Sequence, residues 1–299
     1  MESKGITRSP LKTMKKTGQI YPKFRTIDGL SIRYAESEGG RTRKRAALLL
    51  SPWPESIYAY EATWLRLGEH ANLIAVDLPG FGHSQQRDDV MSPRAMGEFI
   101  VRIADEFDLE EPHVVGPDVG TAAALFAAAL YPDRFRTLVV GPGGAAVPLQ
   151  LGGSLREWVD APDVEPYRKI DGREVVSAAM KNLERYKISD AALEDYRSAY
   201  AGERFADSMS YVRTYPAELP VLSGLLSQIR IPVQIINGLR DPVVPPVNAE
   251  FLHQRIAGSK LALIDATHFI WEDASDEYAE LVTAWWDEHS GAGRTHAAV

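Results

Sequence analysis

The sequence predicts an α/β protein with a mostly parallel sheet, and three observations carry that expectation. Short apolar runs of strand length alternate with segments of helix length toward both ends of the chain. The string Gly116-Pro117-Asp118-Val119-Gly120 joins one such run to an alanine-rich segment. The alternation breaks once, from about residue 145 to 229, in a stretch that reads as mostly helical. Fully apolar strands separated by helices imply a parallel sheet covered on both faces. The helical stretch is then an insertion, a cap over the carboxyl ends of the strands.

The elements follow in order. Phe24 to Ala35, turning at Asp28-Gly29, reads as a hairpin. Ala46 to Leu50 is an apolar strand, followed by the loop Ser51 to Ser56 and a helix over Tyr58 to His70. Leu73 to Val76 is a strand leading into the loop Asp77 to Ser84. Ser92 to Phe107 is helical, with Ser92 as N-cap and Pro93 in the first turn. Pro112 to Gly116 and Arg136 to Val140 are buried strands, separated by a helix over Thr121 to Tyr131. After the insertion come strand Pro232 to Asn237, helix Val247 to Ile256, strand Lys260 to Ile264 and helix Ala274 to His289. The chain is expected to divide into a flexible arm (1–18), a core (19–144 and 230–290), a helical cap (145–229) and a disordered tail (291–299).

Composition narrows the function. The 299 residues are 45% hydrophobic and 25% charged with a net charge of -8, so neither nucleic acid nor an anionic membrane is an expected partner. No cysteine is present, which removes thiolate chemistry and cysteine metal sites. No apolar run reaches membrane-spanning length, and the basic amino terminus lacks the apolar core of a secretory signal. A cytoplasmic enzyme, monomeric or homodimeric and without metal or cofactor, is the expectation. One dinucleotide-like string, Gly141 to Ala146, follows a strand, but Pro148 falls where its helix would begin.

The string around Asp118 has the layout of a nucleophile elbow: strand, tight turn between glycines, then helix. The glycines let strand and helix approach closely. The side chain at the tip is pushed into the cleft beside the positive end of the helix dipole, which favours a carboxylate. An aspartate here can also be a plain N-cap, so the partners matter. Asp241, in Gly238-Leu239-Arg240-Asp241-Pro242, and His268, in Asp265-Ala266-Thr267-His268-Phe269, both lie just past predicted strands. That is the sheet edge where open α/β sheets hold their sites. Nucleophile, acid, histidine is the chain order of an elbow-based triad.

These residues, with Trp53-Pro54-Glu55-Ser56 and Asp77-Leu78-Pro79-Gly80-Phe81-Gly82-His83-Ser84, make the chain resemble the α/β-hydrolase superfamily. The similarity spans roughly residues 20 to 290. Aspartate rather than serine at the elbow points to the branch of epoxide hydrolases and haloalkane dehalogenases. That resemblance implies an Asp118 alkyl ester, hydrolysed by water that His268, held by Asp241, activates. It implies oxyanion donors at the backbone N–H groups of Trp53 and Val119. It also implies that cap tyrosines, Tyr167 and Tyr211 with Tyr215 as a rival of the latter, polarise an epoxide oxygen. Dehalogenases of this kind carry tryptophan after the nucleophile, and fluoroacetate-type enzymes arginine; Val119 stands there instead. The departures are Ser51-Pro52 in place of the family's His-Gly, and Pro117 before the nucleophile. The expected partners are therefore water and a small hydrophobic epoxide, walled by Trp53 and the cap, with a haloalkane dehalogenase or a non-catalytic receptor as the alternatives.

Overall fold

The computed structural model describes residues 19–37 and 45–291. The arm expected at 1–18 and residues 292–299 of the expected tail lie outside the described residues.

Apolar runs and chain reversals generate one sheet of eight strands: β1 (Lys23–Ile27), β2 (Leu30–Glu36), β3 (Ala46–Leu50), β4 (Asn72–Val76), β5 (His113–Gly116), β6 (Thr137–Val140), β7 (Val233–Gly238) and β8 (Lys260–Ile264). Their order is β1-β2-β4-β3-β5-β6-β7-β8. The first two strands form the expected hairpin, with Asp28 and Gly29 both at positive φ. β2 pairs antiparallel with β4, and β3 through β8 run parallel. The central strands are buried along their length because helices cover both faces.

Those helices include α1 (Trp64–His70), α2 (Pro93–Glu106), α3 (Val119–Leu130), α10 (Val247–Arg255), α11 (Ile270–Asp273) and α12 (Ser275–Glu288). Ser92 caps α2 as expected, its hydroxyl accepting from the Ala95 N–H. One expectation is corrected: α1 starts at Trp64 rather than Tyr58, and Ile57–Tyr60 forms a separate 3₁₀ turn that Ser56 caps. The Gly141 to Pro148 segment forms no helix, so the dinucleotide-like string has no helix terminus on which a phosphate would sit.

The chain between β6 and β7 carries α4 (Gly153–Asp160), α5 (Glu165–Arg168), α6 (Gly172–Ala179), α7 (Asp190–Ala199), α8 (Arg204–Val212) and α9 (Tyr215–Leu225). Polar contacts pin these helices to the loops at the carboxyl edge of the sheet. Arg33 on β2 makes a bidentate pair with Asp195 of α7, at 2.9 and 2.6 Å, and a 3.4 Å contact with Asp77. The Asp273 carboxylate accepts from three successive backbone N–H groups, of Glu184, Arg185 and Tyr186. The Tyr200 hydroxyl donates to the Glu55 carbonyl and accepts from the Gly82 N–H.

Candidate active site

The bend at Asp118 is where sequence becomes geometry. A Cβ at Gly116 would meet the Gly120 carbonyl oxygen at 2.8 Å, so the strand must end in glycine for α3 to start where it does. Asp118 takes φ 50° and ψ -118°, a conformation non-glycine residues avoid and one that stores strain. The Thr121 hydroxyl steadies the turn, donating to the Gly116 carbonyl and accepting from the Gly141 N–H. Asp118 thereby stands between two loops. On one side the Trp53 N–H donates to Asp118 Oδ2 at 2.7 Å. On the other, His268 Nε2 lies 3.6 Å from Asp118 Oδ1, an ion-pair distance too long for a hydrogen bond.

His268 closes the row through its other nitrogen. Nδ1 lies 2.7 Å from Asp241 Oδ2, and Asp241 Oδ1 is held by the N–H groups of Val243 and Val244. Those amides fix the carboxylate, and the carboxylate fixes the ring. Burial of His268 works against its cation, but the charges of Asp241 and Asp118 outweigh it and raise its pKa to about 10. At rest the imidazole is therefore a cation lying between two carboxyl groups.

The structure brings Asp118, Asp241, His268 and Trp53 together but not the two tyrosines expected as acids. Tyr211 is fully buried and its hydroxyl donates to the Val119 carbonyl at 2.8 Å. A hydroxyl committed to the backbone cannot present its proton to a substrate. Tyr167 is half-buried on α5 and does not line the cleft. Tyr215 packs its ring on Gly144, edge-on to Tyr211, outside the lining of the same cleft. Its hydroxyl has no hydrogen-bond partner among the described residues. Burial first, then the charge of Asp118, pushes its pKa well up. Val119 opens α3, and its N–H is one of the free amides of the first turn.

The cleft over Asp118 and His268 has a volume of about 690 Å³ and is walled chiefly by Trp53, Leu155, Trp158, Val175, Val243 and Phe269. Trp53 is a wall, as expected. Its indole N–H is spent on the Ser208 hydroxyl at 2.9 Å and its ring stacks on Phe205. Trp158, edge-on to Trp53, has no hydrogen-bond partner for its indole among the described residues. The loss of His-Gly at Ser51-Pro52 costs the site nothing visible, because the donor belongs to the Trp53 backbone.

Sequence reasoning passed over Glu55 and Glu272. Glu55 lies two residues past Trp53 and Glu272 four past His268, and both are buried. Glutamates in a row of apolar residues beside the quoted motifs were the available signal.

A family model described as alpha/beta hydrolase fold matches residues 48–275. The chain belongs to that family. Mouse (Mus musculus) serine hydrolase BPHL is 30% identical over 220 residues, covering 70% of this chain and 67% of its own. Among solved structures, the haloalkane dehalogenase DbeA of Bradyrhizobium elkani superposes with a TM-score of 0.77 at 19% identity, covering 92% of this chain and all of its own. The enol-lactonase of Burkholderia xenovorans superposes with a TM-score of 0.71 at 18% identity, over 89% of this chain and all of its own. The protein is thus a hydrolase of the alpha/beta family, with aspartate at the elbow. Among the described residues no helix is long and apolar enough to cross a membrane.

Proposed function

We propose that this hydrolase opens epoxides to vicinal diols through an alkyl ester on Asp118. One observation carries the reading. A carboxylate stands at the strained elbow, one oxygen held by the Trp53 N–H at 2.7 Å and the other facing His268 at 3.6 Å. A carboxylate attacks saturated carbon directly, whereas attack on an ester or lactone carbonyl would leave a mixed anhydride. Oδ1 displaces the ring oxygen, which takes its proton from water in the cleft. The hydroxide left behind takes the His268 imidazolium proton, which is favoured because alkylation removes one of the two anions that hold the cation. Neutral His268 then takes a proton from water, whose oxygen adds to the ester carbonyl while the Trp53 N–H steadies the oxyanion. Collapse releases the diol and returns Asp118 and the imidazolium, so the protons balance.

A second reading is halide displacement, favoured by the free indole of Trp158 on the cleft wall. Intact mass of the H268A variant separates the two. After styrene oxide, the epoxide reading expects a stable adduct on the Asp118 peptide with the full mass of the epoxide. An adduct formed only with a bromoalkane, lacking the elements of hydrogen bromide, overturns it in favour of the second. No adduct with either overturns both.

A further inference from the structure

Behind the cleft lie two more carboxylates that the proposed reaction does not use. Glu55 and Glu272 are exposed by 0% and 2% of their surface. Glu55 Oε1 accepts from the Trp271 indole at 3.0 Å, and Glu272 Oε1 from the Tyr196 hydroxyl at 3.2 Å. The second oxygen of each, Oε2, is buried and finds no donor. No cationic side chain hydrogen-bonds or ion-pairs with either among the described residues. Two uncompensated anions in such a place would each cost several kcal/mol, at the low end of estimates for buried charge. The two carboxyls are neighbours, since Trp271, adjacent to Glu272 in the chain, donates to Glu55, and one proton held between them would give both orphan oxygens a partner.

The pair sits where three segments meet. Glu55 belongs to the loop that carries the Trp53 N–H. Glu272 lies on α11, four residues after His268 in the chain, and the neighbouring Trp271 ring is edge-on to the His268 ring. Tyr196 comes from α7 of the insertion. We propose that Glu55 and Glu272 share one proton and thereby act as positioning residues, holding the Trp53 amide and the His268 ring in register on either side of Asp118.

The charged and titratable groups facing the pair are few. Glu55 feels Asp118 and Tyr60, and Tyr60 donates its hydroxyl to the Leu50 carbonyl. Glu272 feels Asp273, whose carboxylate is taken up by the backbone of residues 184–186, together with Glu61 and Tyr186. All of the carboxylates among them resist a second negative charge. Burial first raises the pKa of Glu272 to about 8, and Glu55 is raised as well. Once the pair has lost its last proton at alkaline pH, two anions face each other, and the loops they join are driven apart.

The proposal rests on the roles given above to Trp53 and His268, but its test needs no substrate. In the unliganded full-length protein, the infrared carbonyl band of a protonated carboxyl is expected at neutral pH and vanishes at alkaline pH. E272Q, whose amide still donates to Glu55, removes the band. The low-field proton resonance of His268 Nδ1–H is expected to shift over the same interval in the wild type and to stay fixed in E272Q. Should E272Q not fold, E55Q takes its place. Absence of the band, or a His268 resonance that moves identically in wild type and variant, overturns the proposal. Where an epoxide is turned over, wild-type kcat is expected to fall about tenfold per pH unit above the pH at which the band disappears, and E272Q about twofold or less. An unchanged basic limb in E272Q also overturns it.

Discussion

Two buried acidic clusters sit side by side in this molecule, and they answer burial in opposite ways. In the row of Asp118, His268 and Asp241, an imidazolium stands between two carboxylates, and the Val243, Val244 and Trp53 amides satisfy their oxygens. In the pair of Glu55 and Glu272, the donors are one indole and one phenol, and no cation takes part. Burial penalises charge equally in both places. What differs is the supply of compensating charge. The first cluster keeps its ions and gains the carboxylate proposed as nucleophile; the second keeps a proton and gains a joint between loops.

The comparison can be broken at several points, beginning with the largest effect. Under the proposed mechanism, D118A is expected to cost on the order of 10⁴-fold or more in kcat; steady-state assay on an epoxide that the wild type turns over checks it. D241N leaves His268 without its orienting anion and is expected to cost about 10³- to 10⁴-fold, with KM little changed. Breaking the latch on the insertion with R33M leaves Asp77 and Asp195 uncompensated. A loss of about 3–5 kcal/mol is expected in urea denaturation, in line with removal of one partner from a buried pair.

Stability against pH sharpens the contrast. The Glu272 pKa is raised from 4.5 to about 8, so stability present below 4.5 is lost as pH climbs through about 8. His268 is raised from 6.5 to about 10, so its contribution is complete below 6.5 and disappears through about 10. Urea midpoints between these limits are expected to fall with pH in two stages. E272Q removes the lower stage and H268Q the upper; a single stage that neither variant alters would contradict the assignment. The smallest effect belongs to S208A, which removes the acceptor of the Trp53 indole and is expected to cost about 1 kcal/mol.

Much of this was legible in the chain. The apolar runs at Ala46 to Leu50 and Lys260 to Ile264 became strands as read, because period and flanking turns depend only on neighbours in sequence. The elbow was legible because its two glycines answer a local demand, the close approach of β5 to α3. Asp241 and His268 could be named because each sits immediately after a strand. Tyr211 could not be judged that way. Its spacing suited an acid, but the direction of a side chain across a packing interface is set by the opposite surface, here the Val119 carbonyl. Tyr58 to His70 was read as one helix for a related reason. The Ile57 N–H is drawn to Asp77 Oδ1, a partner twenty residues away, which holds the start of this segment apart from the helix.

By itself, then, the sequence determined the parallel sheet, the bend that presents Asp118, and the order in which acid and histidine follow, since each depends on periodicity or on a turn. Only the tertiary structure decided which hydroxyls are free, which indole is spent and which glutamates must share a proton. Those outcomes depend on how many donors and cations the fold gathers around a buried oxygen, and that number belongs to segments far apart in the chain.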